Sequence, residues 1–368
     1  MLKRSTRLLT LPRRSLASTP ARLMANANPA EAQAKVGEAF VLCKNAKIQA
    51  GSSALTAGEF LRTFPRGPYT AARTVTHDRV FMLDMHVARM AESLALMVAE
   101  GYGGGGDLTE GTDVERLRPH LLASAVAAIA AFNAANPALA AAGREVKLTL
   151  LLAAAEGGAA EGRLPFDVYA HAAPLAPRPA APVRAVMRGA PRENAAAKDS
   201  AWVTQRQGLE AAGLGFNETL LAGEGEFAVA GNAGAGAGAL LVGEARLLEG
   251  LSSNVYAIDS SGGAPALYTA EDGVLKGTVR ELVLQCAAEI GLPCVLRGPT
   301  LSTLHEWEGA FITSTSRLVL PVDELDVDVG EGKEAVRKSF VVEGGVVERL
   351  QKCVDEKVLA ASQPLVPE

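Results

Sequence analysis

Metal-ligand spacing is missing from this chain. Its four cysteines, Cys43, Cys286, Cys294 and Cys353, are scattered with no CxxC, which argues against a zinc site or a disulfide framework and fits a reducing compartment. The five histidines are dispersed and form no HExxH, so no metal is expected. Positive charge is not in excess: the formal net charge is −5, which offers no electrostatic reason to bind nucleic acid. No apolar run reaches the ~20 residues that span a bilayer, so no membrane partner is expected. Aromatic residues make up only 5% of a chain that is 48% hydrophobic, so the core must be packed from aliphatic side chains. The insertion EGEFAVAGNAGAGAGALLVGEA carries a GAGAG run but lacks the GxGxxG spacing ahead of a helix. It is therefore low-complexity sequence and not a phosphate loop.

A chain of 368 residues is long enough for roughly two domains. Residues 1–30 hold six basic residues, several Ser and Thr, and no acid before Glu31. That composition reads as an organelle transit peptide, for mitochondrion or chloroplast, since it has no long apolar secretory core. A helix is expected around residues 29–48. A turn and short strand follow at PRGPYTAARTV, and DRVFMLDMHVARMAESLALM starts as a strand and becomes helical, with Val87, Met90, Leu94 and Met97 at helical spacing. Residues 113–135 read as a strong helix, and EVKLTLLLAA and PFDVYAHAAP as buried strands.

The Pro-rich segment 173–183 reads as a linker between a smaller N-terminal domain, 31–172, and a larger C-terminal one, 184–368. In the second half, residues 202–213 are expected to form one helix. FNETLLAG and RLLEG are short strands, NVYAID and ALYTAE a hairpin, and GTVRELVLQCAAEIG a helix opening at Gly277. AFITSTSRLVLPV is a strand breaking into a hydroxyl-rich turn.

A lysine in the small, bland stretch ENAAAKDSAW, Lys198, is the first chemical candidate. A surface lysine at a helix start would need no explanation, whereas one held in a dry pocket becomes a nucleophile. Four other stretches decide the matter: HVAR with His86 and Arg89, LLEGLSSN with Glu249, LKGTVRE, and ITSTSR. Their order resembles the fold-type IV, or class IV, pyridoxal-phosphate enzymes, which include branched-chain and D-amino-acid aminotransferases and aminodeoxychorismate lyase. The resemblance spans roughly residues 55–325. Its most specific part is E-G-x-x-S-N followed by G-x-x-R, and PYTAART with AKDSAW look nearest to a plant-type branch.

The resemblance implies an α/β (α+β) fold of two domains. The N-terminal one is small and α+β, the C-terminal one larger and β-barrel-like with helices, and pyridoxal 5'-phosphate lies between them in a homodimer. Lys198 would hold the cofactor aldehyde as a Schiff base and carry the α-proton. Glu249 would face the pyridine nitrogen. The phosphate would meet Arg89, the amides of Thr278 and Val279 at a helix N-terminus, and Thr315 with Ser314 in the TSTS turn. Tyr69 and Arg73 match positions near the substrate, while His86 is expected to pack or cap.

Two departures stand out. Val279 replaces a hydroxyl residue common in the aminotransferases. Val203 occupies the position, five residues after the lysine, where branched-chain enzymes place a tyrosine. The expected reaction is amino transfer between an amino acid and a 2-keto acid. The alternatives are lyase-type elimination releasing pyruvate and a catalytically inactive relative.

Overall fold

The computed structural model describes residues 40–49, 55–104, 107–155, 165–223, 227–230, 240–329 and 335–365. The transit-peptide reading and most of the GAGAG insertion lie outside the described residues.

The first half comprises β1 (Val41–Lys44), β2 (Lys47–Ile48), α1 (Ala57–Thr63), β3 (Tyr69–Val75), β4 (Arg79–Phe81), α2 (Leu83–Ala99), α3 (Thr109–Thr112), α4 (Val114–Ala135), α5 (Pro137–Ala141), β5 (Val146–Ala154) and β6 (Phe166–Pro174). The helix expected over 29–48 is corrected where the structure describes it, because residues 41–48 form the β1–β2 hairpin. Asn45 (φ 48°) and Ala46 (φ 60°) both take the left-handed conformation that a two-residue hairpin turn requires. Val41, Leu42 and Cys43 are buried in succession, as suits a strand covered on both faces and not a one-sided helix. The sheet runs β19-β4-β3-β5-β6-β1-β2. Its first-named edge strand, β19 (Ser362–Pro364), pairs antiparallel with β4. The end of the chain thus returns to the first sheet and is not part of the second half, where the sequence reading had put it.

By length and composition α4 is apolar enough to cross a bilayer, which the sequence reading had not expected. Its charged residues Glu115, Arg116 and Arg118 crowd the first turns and leave the rest uncharged. Here it covers the sheet instead, burying Leu117, Leu121, Ala125, Ile129 and Phe132 in a core shared with β5, β6 and α2.

The second half comprises β7 (Arg184–Met187), α6 (Ala201–Gln205), α7 (Gln207–Ala212), β8 (Glu218–Ala222), β9 (Phe227–Ala230), β10 (Leu240–Gly243), β11 (Leu247–Gly250), β12 (Asn254–Asp259), β13 (Ala266–Tyr268), α8 (Thr278–Glu289), β14 (Cys294–Val295), β15 (Trp307–Ser314), β16 (Leu318–Val322), β17 (Glu324–Val327), β18 (Val336–Ser339) and α9 (Val346–Lys357). Ten of these strands form one sheet, with β15 and β16 branching from β12. Period-2 alternation builds two cores on it. Val255, Ala257, Ala310 and Ile312 point inward with Leu220, Leu247 and Leu325, giving the barrel-like interior. Tyr256, Ile258, Phe311 and Val319 point outward under α8 and α9. The single helix expected over 202–213 is broken at Arg206, which caps α6 and starts α7.

Candidate active site

Lys198 is held by the edge of the first sheet. The Tyr69 amide donates to the Lys198 carbonyl at 2.9 Å, and the Ser200 amide to the Gly67 carbonyl at 3.0 Å. Gly67 must be glycine here, because a Cβ would sit 1.8 Å from the Leu152 carbonyl oxygen. The Lys198 amide in turn donates to Ser93 Oγ at 3.0 Å. Fixed this way, the side chain reaches into a cavity of about 520 Å³ between the two halves, and its Nζ lies 4.6 Å from the Tyr69 ring centroid. Burial pulls the amine down to about 8. Tyr69 opposes the fall, and Arg89, Arg192 and Arg206 add to it. For Tyr69, burial pushes the phenol up, but Lys198, Arg206 and Arg192 together turn the net shift downward.

His86, Arg89 and Ser93 form one buried stripe on α2, at i, i+3 and i+7. Arg89 Nη2 donates to Thr70 Oγ1 at 2.6 Å, and Thr70 Oγ1 lies 2.6 Å from His86 Nδ1. Burial, then Arg89 and Lys198, hold His86 well below its ordinary value, so the imidazole is neutral and Nδ1 accepts the Thr70 hydroxyl proton. His86 is thus a packing partner that orients Arg89 through Thr70. Among the described residues Arg89 pairs with no carboxylate and its buried Nε has no partner. Burial lowers this guanidinium to about 10. A buried, unpaired cation facing a cavity calls for an anion.

Glu249, at the end of β11, is also buried. Arg192 Nε donates to its Oε1 at 2.6 Å, and the Leu275 amide to its Oε2 at 3.1 Å. The two motifs E-G-x-x-S-N and G-x-x-R meet through Asn254, whose Oδ1 accepts from the Gly277 amide at 3.2 Å while its Nδ2 donates to the Leu275 carbonyl at 2.6 Å. A Cβ on Gly277 would lie 2.2 Å from Asn254 Oδ1. Gly277 caps α8, so the first-turn amides of Thr278 and Val279 have no partner within the helix and carry the positive end of its dipole. The Thr278 and Thr315 hydroxyls are 3.0 Å apart at the cavity wall. Ser314 also lines the wall, but its Oγ is engaged by the amide and Nε of Arg317. The Arg280 of G-x-x-R points away, to the Ala270 carbonyl and Glu271.

The cavity therefore gathers Lys198, Arg89, Glu249, Thr278, Val279, Ser314, Thr315 and Tyr69. Arg73 stands apart. It shares a face of β3 with Tyr69 and Ala71, but four residues of strand carry it ~13 Å farther along, beyond the cavity lining. Val203 is buried in a cluster with Phe60, Leu61 and Tyr69 and also lines the cavity. Sequence reasoning missed Arg192, Arg206 and Ser93. Ser93 had a signal in the polar stripe of an apolar helix, whereas Arg192 sits in a charged turn-like stretch and Arg206 on the helix expected over 202–213, where an arginine reads as surface.

The chain matches the family model described as amino-transferase class IV over residues 67–325. A branched-chain aminotransferase from the thermophilic archaeon Thermoproteus uzoniensis has a similar fold, with TM-score 0.60 and 16% identity over 89% of this chain and 100% of that one. The branched-chain amino acid aminotransferase of Escherichia coli gives TM-score 0.56 and 15% identity, over 89% and 100% of the two chains. A hypothetical aminotransferase from Mycobacterium tuberculosis, in its PLP-bound form, gives 0.55 and 20%, over 87% and 99%. At such identities the likeness is one of fold.

Proposed function

The chain belongs to the class IV aminotransferases, and from that premise we propose that it is a pyridoxal 5'-phosphate-dependent enzyme moving an amino group between an amino acid and a 2-keto acid. One observation carries the reading: a half-buried amine pulled down to about 8, a buried guanidinium that pairs with no carboxylate among the described residues and a buried carboxylate all line one cavity.

The donor set fits the cofactor. Arg89, the first-turn amides of α8 and the Thr278–Thr315 hydroxyl pair suit a phosphate. Lys198 suits an aldehyde, and Glu249 a ring nitrogen. When bound, the cofactor supplies the carbonyl that accepts the amino group and the ring that takes up the electron pair of the broken α-C–H bond. Lys198 Nζ, which gives up its proton far more readily at about 8 than an ordinary lysine does, takes the substrate α-proton in its free-base form and returns it two atoms along. Arg192 and the Leu275 amide keep Glu249 in place. The apolar floor of Phe60, Leu61 and Val203 keeps water from beneath the amine.

The test is direct. Purified protein given pyridoxal phosphate should turn yellow and, after borohydride, carry a pyridoxyl mass on Lys198. Absence of that adduct would sink the proposal. Keto acid formed only when an amino acceptor is supplied marks amino transfer. Pyruvate released without an acceptor would mark the elimination reaction instead.

A further inference from the structure

Five arginines line the cavity, and four are already engaged. Arg192 spends Nε on Glu249 and its other two nitrogens on the Ala197 and Ala195 carbonyls. Arg317 spends all three on Ser314, the Asn217 carbonyl, Glu218 and Ser252. Arg178 makes a two-point pair with Asp355. Arg89 is the phosphate ligand of the proposed function.

Arg206 is left. It sits at the break between α6 and α7, where its Nη1 donates to the Leu251 carbonyl at 2.9 Å, the same carbonyl that accepts from Trp202 Nε1 at 2.9 Å. Its Nε donates to Glu210 at 2.8 Å. Nη2 has no hydrogen-bond partner among the described residues. Two of three nitrogens are thus anchored, so the open edge is held in place before any ligand arrives. Burial works against its charge, but Tyr69, Glu210 and Glu218 together turn the net shift upward, so the guanidinium stays a cation at the cavity wall. The guanidinium lines the same cavity as Tyr69 and Lys198, and its charge bears on both.

We propose that Arg206 is the receptor for the substrate's carboxylate, its Nη2 edge fixing the α-carbon relative to Lys198. This rests on the aminotransferase reading.

The test uses protein loaded with pyridoxal phosphate and two probes of equal size, hexanoate and hexanamide, followed by the change in cofactor absorbance. Wild-type protein should bind hexanoate about tenfold more tightly than hexanamide. Arg206→Met should abolish that preference and Arg206→Lys should keep part of it, with pyridoxal phosphate affinity and far-UV circular dichroism unchanged in both. Equal affinity for the two probes on the wild type overturns the proposal without recourse to any variant. So does a preference that survives in Arg206→Met. Failure of the aminotransferase reading would show earlier and differently, as absence of cofactor absorbance before a probe is added.

Discussion

Lys198 Nζ stands 4.6 Å from the centroid of the Tyr69 ring, and the backbones of the two residues are joined by the hydrogen bond from the Tyr69 amide to the Lys198 carbonyl. The amine and the aromatic face therefore keep their relation whatever the cavity holds. The amine is paired with no carboxylate among the described residues, and its charge is disfavoured by burial first.

That burial has a pH signature in the cofactor-free protein. Lys198 has an ordinary value of 10.5 when unfolded and about 8 when folded. Below pH 8 it is charged in both states and the folded state bears the full cost of a buried charge. Between about 8 and 10.5 the unfolded chain binds more protons, so stability climbs with pH, and the cost disappears above that range. Lys198→Met should therefore stabilise the cofactor-free protein by about 1–3 kcal/mol at pH 7, and by much less near pH 10. Urea denaturation at the two pH values measures this. A variant no more stable than wild type at pH 7 would show that the amine reaches water.

Arg89 offers the second test. Its fork is aimed by Thr70, which His86 holds in turn. A lysine keeps the charge but loses both the Thr70 contact geometry and two-point binding of a phosphate. Arg89→Lys should weaken pyridoxal phosphate binding by roughly tenfold, and Arg89→Ala by a further factor of about ten. Titration of cofactor-free protein followed by absorbance gives both values. Equal affinities in all three proteins would remove Arg89 from the phosphate site.

Asn254 joins the turn that carries Glu249 to the helix start that carries Thr278. Asn254→Ala leaves the Leu275 carbonyl and the Gly277 amide without partners. The expected loss is about 1–3 kcal/mol of stability and several-fold of cofactor affinity. Gly277→Ala should be at least as damaging, since its Cβ meets Asn254 Oδ1 at 2.2 Å. Thermal melts with and without cofactor separate the two effects.

Much of the fold could be read in the sequence because its signals are local. The strands β5 and β6 are long apolar runs, and α2 and α8 carry clean helical periodicity. The site residues in turns were legible because glycine, serine and asparagine crowd there for close backbone approach. Other features depend on distant partners. Residues 41–44 become a strand because β6 offers an edge, and residues 362–364 because β4 does. Arg192 and Arg206 acquire their roles only when Glu249 and the Leu251 carbonyl arrive from some fifty residues away. Arg73 lies outside the cavity lining, although Lys147, its partner across the β3–β5 pair, belongs to it.

Val203 is the departure with the clearest physical consequence. It is 2% exposed and packed among Phe60, Leu61 and Tyr69, and it also lines the cavity, so a larger side chain would have to displace that cluster or take cavity space. Val203→Tyr must open the packing between α1 and α6 or enter the cavity where the cofactor would lie, and it would bring a phenol that needs a hydrogen-bond partner. Overpacking of this kind costs about 1–3 kcal/mol. The variant should melt several degrees lower and lose cofactor affinity instead of gaining activity, because the added ring disturbs the cluster beside the amine and takes cavity space. Val203→Ile, which adds one methylene, should cost less than half as much. Differential scanning calorimetry of the three proteins, beside cofactor titration, decides it. A Val203→Tyr protein as stable as wild type, with tighter cofactor binding, would show that the cavity has room for the phenol and that valine is no structural requirement there.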